Sequence, residues 1–169
     1  MTHSASLRIC RADYANPVHA SALVSLLDAY ARDPMGGGEP LSEFARANLV
    51  SALAARPQVF SVLAFGDSGG HEIPVGLVNC IEGFSTFVCQ PLVNVHDVAV
   101  LPEHRGQRVA EKMLALVEEI ARERGACKLT LEVLQGNAGA IRLYHRVGFA
   151  NYQLDPAMGQ AQFLQKWLT

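Results

Sequence analysis

The sequence lacks any long hydrophobic run and any excess of charge of one sign. Its apolar stretches fall far short of the roughly 18–20 residues that a membrane-spanning helix needs. The sequence has fourteen Lys and Arg residues and sixteen Asp and Glu residues, a formal net charge of −2. This is not the excess of positive charge that binds the phosphate backbone of a nucleic acid. The first residues show no basic segment followed by an apolar one, so no signal peptide is indicated. We expect a cytoplasmic protein that binds neither nucleic acid nor membranes.

Closely paired cysteines are missing too. Cys10, Cys80, Cys89 and Cys127 are scattered, with no Cys-x-x-Cys spacing, which is the pattern typical of zinc sites and redox motifs. Three of the four lie in apolar segments. We therefore expect buried free thiols and no metal site.

Internal repeats, linkers and low-complexity stretches are also absent from the 169 residues. Half of the residues (50%) are hydrophobic and 18% are charged, enough apolar material to bury a core. The length is that of one ordinary domain. We expect a single domain over residues 1–169.

Hydrophobic periodicity predicts about seven strands and four helices. Helices are expected near 18–31, 42–55, 108–124 and 137–147, with Ser42 as the N-cap of the second. Strands are expected near 8–11, 59–65, 75–89, 92–101, 127–134, 149–154 and 162–168. Antiparallel hairpins combined with one β-α-β unit around 92–134 indicate an α/β protein with one mixed sheet flanked by helices.

One segment, from Asp97 to Ala110, is read as a strand, a short loop containing Gly106 and the start of the longest helix. The N-terminus of a helix directs free N–H groups and positive dipole at one point, which suits an anion such as a pyrophosphate. Neither the Walker nor the dinucleotide glycine pattern is present. Arg105 can equally be a solvated surface charge.

A second segment runs from Asn137 to Phe149. Taken alone, Asn137 is interpreted as a helix N-cap, Tyr144 as a core aromatic side chain and Gly148 as the residue that ends the helix. Each of these structural interpretations stays open beside a functional one.

Together the two segments resemble the GNAT superfamily of acyl-CoA-dependent N-acetyltransferases. Residues 105–110, Arg-Gly-Gln-Arg-Val-Ala, are similar to the family signature Gln/Arg-x-x-Gly-x-Gly/Ala. Residues 137–149 are similar to its Asn-x-x-Ala-x-x-x-Tyr-x-x-x-Gly-Phe segment. One departure is Arg108, which stands where the first signature glycine is usual; a side chain fits there if the residue is already helical.

The resemblance implies a GNAT fold, with a mixed, mostly antiparallel sheet whose fourth and fifth strands splay apart around the pantetheine arm of acetyl-CoA. It implies that Asn137 faces this arm and that Tyr144 protonates the leaving thiolate. The pantetheine amides would pair with the backbone of Val98, Ala99 and Val100. The pyrophosphate would be held by N–H groups of Arg105, Gly106, Gln107, Arg108, Val109 and Ala110. No metal is implied.

The reaction also needs a proton acceptor, because an alkylamine with a pKa of about 10.4 is protonated at pH 7. His96 lies where related acetyltransferases often carry a carboxylate, and an imidazole suits this task. The alternatives are a structural role for His96, or Asp97 or Glu132 acting through water. On a regular strand Asp97 points to the opposite face from His96, so it can replace His96 only if a bulge re-aims it.

The acceptor site is implied at residues 33–43 and at Glu82, Phe84 and Thr86, with Asp33, Glu39, Glu43 and Glu82 as carboxylates. A polyamine, an amino acid, an aminoglycoside and a protein amine all stay open. We expect transfer to a primary amine of a small, polyamine-like or amino-acid-like molecule by direct attack, since neither motif contains a cysteine. The alternatives are a CoA-binding sensor or interaction module without turnover, and an enzyme that acetylates a protein amine. A homodimer is also left open.

Overall fold

A computed structural model describes residues 7–168. The chain forms two compact units, Met1–Leu131 and Glu132–Thr169. The single domain expected over residues 1–169 stays a prediction.

The first unit contains one sheet of five strands in the order β1-β2-β3-β4-β5. Its first four strands form an antiparallel meander, and β5 pairs in parallel with β4. The strands are β1 (Arg8–Arg11), β2 (Val59–Ser68), β3 (His71–Ser85), β4 (Gln90–Val100) and β5 (Leu129–Leu131). The helices of this unit are α1 (Pro17–Arg32), α2 (Glu43–Ala54) and α3 (Val109–Glu123), and a short 3-10 turn covers Pro102–His104.

In the second unit the residues up to 168 form helix α4 (Ala138–Arg146) and a 3-10 turn at Pro156–Met158. The α/β class and the four helices are confirmed, whereas the strands predicted at 149–154 and 162–168 are wrong. An apolar pattern becomes a strand only where a neighbouring strand accepts and donates its backbone hydrogen bonds. Large side chains here, including Leu154 and Trp167, are instead exposed.

Side-chain caps fix where the first two helices begin. The Oδ1 atom of Asn16 accepts a hydrogen bond of 2.9 Å from the N–H of Val18, with Pro17 at the first helical position. The Oγ atom of Ser42 accepts one of 3.1 Å from Ala45, which confirms the predicted cap. Both caps satisfy N–H groups that a helix leaves unpaired.

The core lies on both faces of the sheet. On one face Leu23 and Leu26 of α1 pack against Leu63 and Leu77 of the central strands. On the other face α3 contributes the buried Met113, together with Leu114 and Val117. Each fully buried side chain of this size contributes about 1.5–3 kcal/mol.

The four cysteines carry free thiols. Cys80 is buried, as expected, and burial raises the pKa of its thiol to about 12. Cys10 is half-buried, whereas Cys89 and Cys127 are exposed. The expected burial is wrong for the last two because Cys89 lies in the turn before β4 and Cys127 in the segment before β5. No helix in the described part of the chain combines the length and apolar character that crossing a bilayer requires.

A β-bulge interrupts the pairing of β3 with β4. Asn79 pairs with Asp97, but the next residue, Cys80, pairs with Val95. His96 is therefore the extra residue on β4. A bulge changes which face the following side chains occupy, and it places Asp97 on the face of its pairing partner Asn79.

Candidate active site

The loop between β4 and α3 has the geometry of an anion site. Gly106 has a φ of 75°, and no heavy atom lies within 4 Å of the place where a Cβ would stand. The side chain of Arg108 does not cap α3, so the N–H groups of Val109 and Ala110 lie in the first turn without an intrahelical partner. Such an N-terminus can hold a phosphate group.

The backbone of Arg108 is left-handed, with φ 60° and ψ 22°, and the residue precedes α3 as its N-cap. The expectation that Arg108 fits because it is already helical is therefore wrong. A residue with a Cβ pays roughly 1–2 kcal/mol for this conformation, which explains why glycine is usual at this position of the signature.

Arg105 links three parts of the first unit. Its N–H, which the resemblance places at the pyrophosphate, instead donates to the carbonyl of Pro102 at 3.2 Å and closes the 3-10 turn. Its Nε donates to the carbonyl of Val100 at 3.0 Å, and its Nη2 donates to Asp33 at 2.8 Å. This hydrogen bond from Arg105 lowers the pKa of the Asp33 carboxyl.

Among the residues that the structure describes, β4 has no strand partner on this side beyond its parallel ladder with β5, whose last pair is Val95 with Leu131; we call this stretch of β4 the open edge. Leu101 donates its N–H to Val75 on the β3 side at 3.0 Å. Backbone groups alternate between the two sides of a strand, so Ala99 faces β3 while Val98 and Val100 face the open edge. This edge offers peptide groups that the amides of an extended ligand can match.

The bulge separates the two candidate proton acceptors. His96 is exposed, and its Nδ1 lies 3.4 Å from Oδ1 of Asn94. Asp97 is half-buried, and its Oδ2 accepts a hydrogen bond of 3.0 Å from Nδ2 of Asn79. Asp97 can replace His96 as the proton acceptor only if a bulge turns its side chain, and the register of β3 and β4 contains such a bulge.

Three residues that are linked to Asp97 by hydrogen bonds were not predicted from the sequence as part of the site: Tyr14, Ser61 and Asn79. Ser61 is fully buried and Asn79 nearly so. Ser61 and Asn79 could have been found, because each is a polar residue within an apolar stretch of its strand, β2 or β3, and a buried polar group needs a partner. Tyr14 lies in the turn before α1 and gives no such signal. Tyr30 was missed as well; burial raises the pKa of its phenol, and the charges of Asp97 and Asp33 add to this.

The acidic residues expected near the acceptor differ in their surroundings. Asp33 is paired with Arg105, and the Oε2 atom of Glu82 lies 2.9 Å from Arg124. Their charges are thus compensated inside the unit. Glu39 and Glu43 are exposed. Phe84 and Thr86 are exposed as well, around the end of β3.

The loop from residue 33 to residue 42 is fixed at both ends. Asp28 of α1 accepts a hydrogen bond of 2.9 Å from the N–H of Leu41, and its other oxygen accepts one of 2.9 Å from Arg32. The hydrogen bond from Arg32, followed by that from Leu41, lowers the pKa of Asp28. Asp33 holds the opposite end through Arg105.

The second unit carries Asn137 and Tyr144. The Oδ1 atom of Asn137 accepts a hydrogen bond of 3.2 Å from Ala140 and caps α4. The ring of half-buried Tyr144 meets Phe149 edge-on, with 5.8 Å between centroids. Glu132 is exposed at the start of this unit. The functional roles implied for Asn137 and Tyr144 stay predictions.

A metal centre is not indicated by the side chains of residues 7–168. Within them, no group of three or more His, Cys, Asp or Glu residues could hold a metal ion.

Comparison with known proteins identifies relatives that are named as acetyltransferases. Streptothricin acetyltransferase of Streptomyces lavendulae is 43% identical over 117 residues, which are 59% of this chain and 62% of the relative. Thialysine N-epsilon-acetyltransferase of Bos taurus is 38% identical over 56 residues, 33% of each chain. The chain therefore spans less than two thirds of the length of these relatives.

Solved structures share the fold. A probable acetyltransferase has a TM-score of 0.77 at 22% identity, over 96% of this chain and 99% of its own. An aminoglycoside N-acetyltransferase solved with CoA has a TM-score of 0.72 at 17% identity, over 98% of both chains. The model of the Acetyltransferase (GNAT) family matches residues 20–149, well over half of the sequence. The chain belongs to the GNAT acetyltransferase family.

Proposed function

We propose that this protein transfers the acetyl group of acetyl-CoA to a primary amine of a small molecule by direct attack. The observation that carries the proposal is the uncapped N-terminus of α3 behind the open loop at Gly106, next to the open edge of β4. An extended ligand with a pyrophosphate at one end and amides along its arm matches both features.

The residues of the first unit fit the cosubstrate. The N–H groups of residues 106–110 would hold the pyrophosphate. The backbone of Val98 and Val100 would pair with the pantetheine amides, and Arg105 keeps the loop in place through the carbonyl of Val100. A Cβ at position 106 would meet no atom of the protein, so a larger side chain there tests whether this open space receives the phosphates.

The amine must be held and then deprotonated. We assign the attraction of the cationic amine to the carboxylate of Asp97, and proton removal to His96, which lies beside it in the bulge. Freeing the lone pair costs about 4–5 kcal/mol at pH 7 for a pKa near 10.4, and an imidazole accepts such a proton far more readily than a carboxylate does.

The atoms balance without a covalent enzyme intermediate. The ammonium group gives one proton to His96, and the neutral nitrogen then bonds to the acyl carbon. The carbon–sulfur bond breaks as the sulfur takes a proton from Tyr144, and the second proton of the nitrogen returns through solvent to the Tyr144 oxygen, so that the net proton released is the one on His96. The products are an N-acetylated amine and the CoA thiol. The role of Tyr144 rests on the family resemblance of residues 137–149.

The acceptor class that we propose is a polyamine-like or amino-acid-like molecule with a flexible aminoalkyl group. Two relatives act, by their names, on streptothricin and on thialysine. Asp97 supplies one anionic group for such a cation, while Asp33 and Glu82 are already paired with arginines.

The experiment is a measurement of thiol release from acetyl-CoA with a panel of amines. The panel contains streptothricin, thialysine, spermidine, lysine, an aminoglycoside and a peptide with a free N-terminus and one lysine. Acetylation of a small amine supports the proposal. Preference for the peptide would replace it with a protein acetyltransferase, and CoA binding without amine-dependent thiol release would replace it with a sensor. Association with a second copy stays a prediction, which sedimentation measures.

A further inference from the structure

A row of polar side chains crosses the apolar face of the sheet beneath α1. Ser61, Asn79 and Asp97 are pairing partners on three adjacent strands, so their side chains share one face. Ser61 donates from Oγ to Oδ1 of Asn79 at 2.6 Å, and Asn79 donates from Nδ2 to Oδ2 of Asp97 at 3.0 Å. Tyr14 extends the row, with its hydroxyl 2.9 Å from Oγ of Ser61.

The hydrogen bonds of this row run in one direction. An ionised carboxylate only accepts, so Asn79 must turn its amide nitrogen to Asp97 and its carbonyl to Ser61. The single proton of Ser61 is then committed to Asn79, and Tyr14 must donate to Ser61. Burial raises the pKa of Tyr14, which keeps its phenol a donor at neutral pH.

The row ends where the chain leaves regular strand geometry. Asp97 follows the extra residue His96 of the bulge, and a side chain there would turn freely without a partner. The hydrogen bond from Asn79 fixes Oδ2 of Asp97. In the described residues no group donates to the second oxygen, Oδ1, which can therefore receive a ligand.

From this we infer that Asn79, supported by Ser61 and Tyr14, is a positioning residue that fixes the Asp97 carboxylate at the bulge so that its second oxygen binds the cationic amine. The inference rests on the proposed function. It adds residues from two strands and one turn that neither sequence motif contains. Because Ser61 and Asn79 are buried and each group of the row is hydrogen-bonded to the next, loss of one leaves its neighbour without a partner.

The test compares Asn79→Leu, Ser61→Ala and Tyr14→Phe with the wild type in steady-state kinetics. Streptothricin is the amine probe, with spermidine in its place if streptothricin is not acetylated. We expect the KM for the amine to rise about tenfold for Asn79→Leu and about threefold for the two hydroxyl deletions, because a bond to a charged group is worth more than a neutral one. The KM for acetyl-CoA should stay unchanged. Tyr14→Phe keeps the ring, so it reports even where Asn79→Leu fails to fold.

Cys80→Ala is the matched control. Cys80 neighbours Asn79 on β3, is fully buried and faces the other side of the sheet, so its truncation lowers stability and removes no hydrogen bond of the row. It should leave the amine KM unchanged. In an Asp97→Asn background the row variants should add nothing further, since the group that they position is gone.

The outcomes separate the two proposals. Turnover with an unchanged amine KM in all three variants would overturn the positioning role and leave the acetyltransferase proposal intact. A rise in the amine KM for Cys80→Ala equal to that of Ser61→Ala would assign the effect to lost stability and overturn the role too. No turnover of any amine by the wild type would overturn the proposed function and this inference with it.

Discussion

The guanidinium group of Arg105 donates a hydrogen bond of 2.8 Å to the carboxylate of Asp33, although 72 positions separate the two residues in the chain. Arg105 belongs to the loop that we propose for the pyrophosphate. Asp33 begins the loop between α1 and α2, where the acceptor is implied to bind. The ion pair joins these two loops within the first unit.

This pair predicts an acid-sensitive contribution to stability. Arg105 lowers the pKa of Asp33 in the folded protein, so the stabilisation is present above the unfolded-state pKa, about 3.9, and is lost as pH falls through the lower folded value. Asp33→Asn should lower the melting temperature at pH 7 by about 1–4 °C, the scale of a partly exposed ion pair. The difference from wild type should shrink as the pH falls below about 4.

Arg105→Gln provides the check by thermal unfolding at both pH values. It should cost at least as much as Asp33→Asn, because it also removes the hydrogen bond to the Val100 carbonyl, and the double variant should lose no more than Arg105→Gln alone. Additive losses would mean that the two side chains do not stabilise the protein through each other.

For the cofactor loop, CoA should stabilise the fold in proportion to its binding. At about 100 times its Kd, a ligand adds about 2.7 kcal/mol, or about 5–11 °C in melting temperature for a chain of this size. Gly106→Val should abolish the shift. Gly69→Val is the matched control, because Gly69 also has a positive φ, of 63°, with nothing near its Cβ position; it should carry the same backbone strain and keep the shift. A wild type that CoA does not stabilise contradicts the cofactor assignment.

Arg108→Gly should raise the stability of the protein without CoA by about 1 kcal/mol, because glycine adopts the left-handed conformation without a Cβ clash. Cys89→Gly is the control: Cys89 also has a positive φ, of 52°, so this substitution should raise the stability by a similar amount. Calorimetric titration with CoA then tests the role of the Arg108 guanidinium. The affinity of Arg108→Gly for CoA falls if the guanidinium contacts phosphate, and it rises if the side chain merely obstructs the loop. An unliganded protein destabilised by Arg108→Gly would show that the side chain has a structural partner.

Tyr144→Phe removes only a hydroxyl and keeps the edge-on contact with Phe149. We expect kcat to fall by about 10²–10⁴-fold, the usual effect of losing a general acid, while the melting temperature and the CoA shift are retained. Tyr152→Phe, in the same unit, should leave kcat unchanged. Equal rates for Tyr144→Phe and the wild type would return Tyr144 to a structural role.

His96 and Asp97 should differ in what their loss changes. His96→Ala should remove the acidic limb of the pH profile of kcat/KM and should slow the reaction more at neutral than at alkaline pH, where free amine is abundant. Asp97→Asn should keep the limb and raise the KM for the amine. If Asp97→Asn removes the limb and His96→Ala does not, the base lies on the predicted strand one residue further along.

Much of the first unit follows from local signals. Ser42 and the Asn16-Pro17 pair mark helix starts because capping depends on neighbouring residues alone. The helix after Gly106 follows from apolar spacing. Residues 149–154 and 162–168 have the composition of strands, but composition does not tell whether a neighbouring strand is available to pair with them.

The site was only partly predictable. The bulge at His96 depends on the register of two strands, and alternation within one strand carries no register. The same holds for the contact of Arg105 with Asp33, which depends on how distant segments pack. The left-handed backbone of Arg108 could not be predicted from the sequence, because a residue with a side chain favours right-handed helical geometry and only glycine would have indicated a left-handed one.

The polar row of Ser61, Asn79 and Asp97 also bears on how the sheet assembles. A hydrophobic row tolerates a slipped neighbour, since one apolar side chain can replace another. If β3 slipped by one residue against β2, Asn79 would lose Ser61 and enter an apolar layer with its amide unpaired. A sheet with a slipped register is therefore higher in free energy at this position. Replacing Ser61 and Asn79 by apolar residues should let β2 and β3 pair in more than one register during folding.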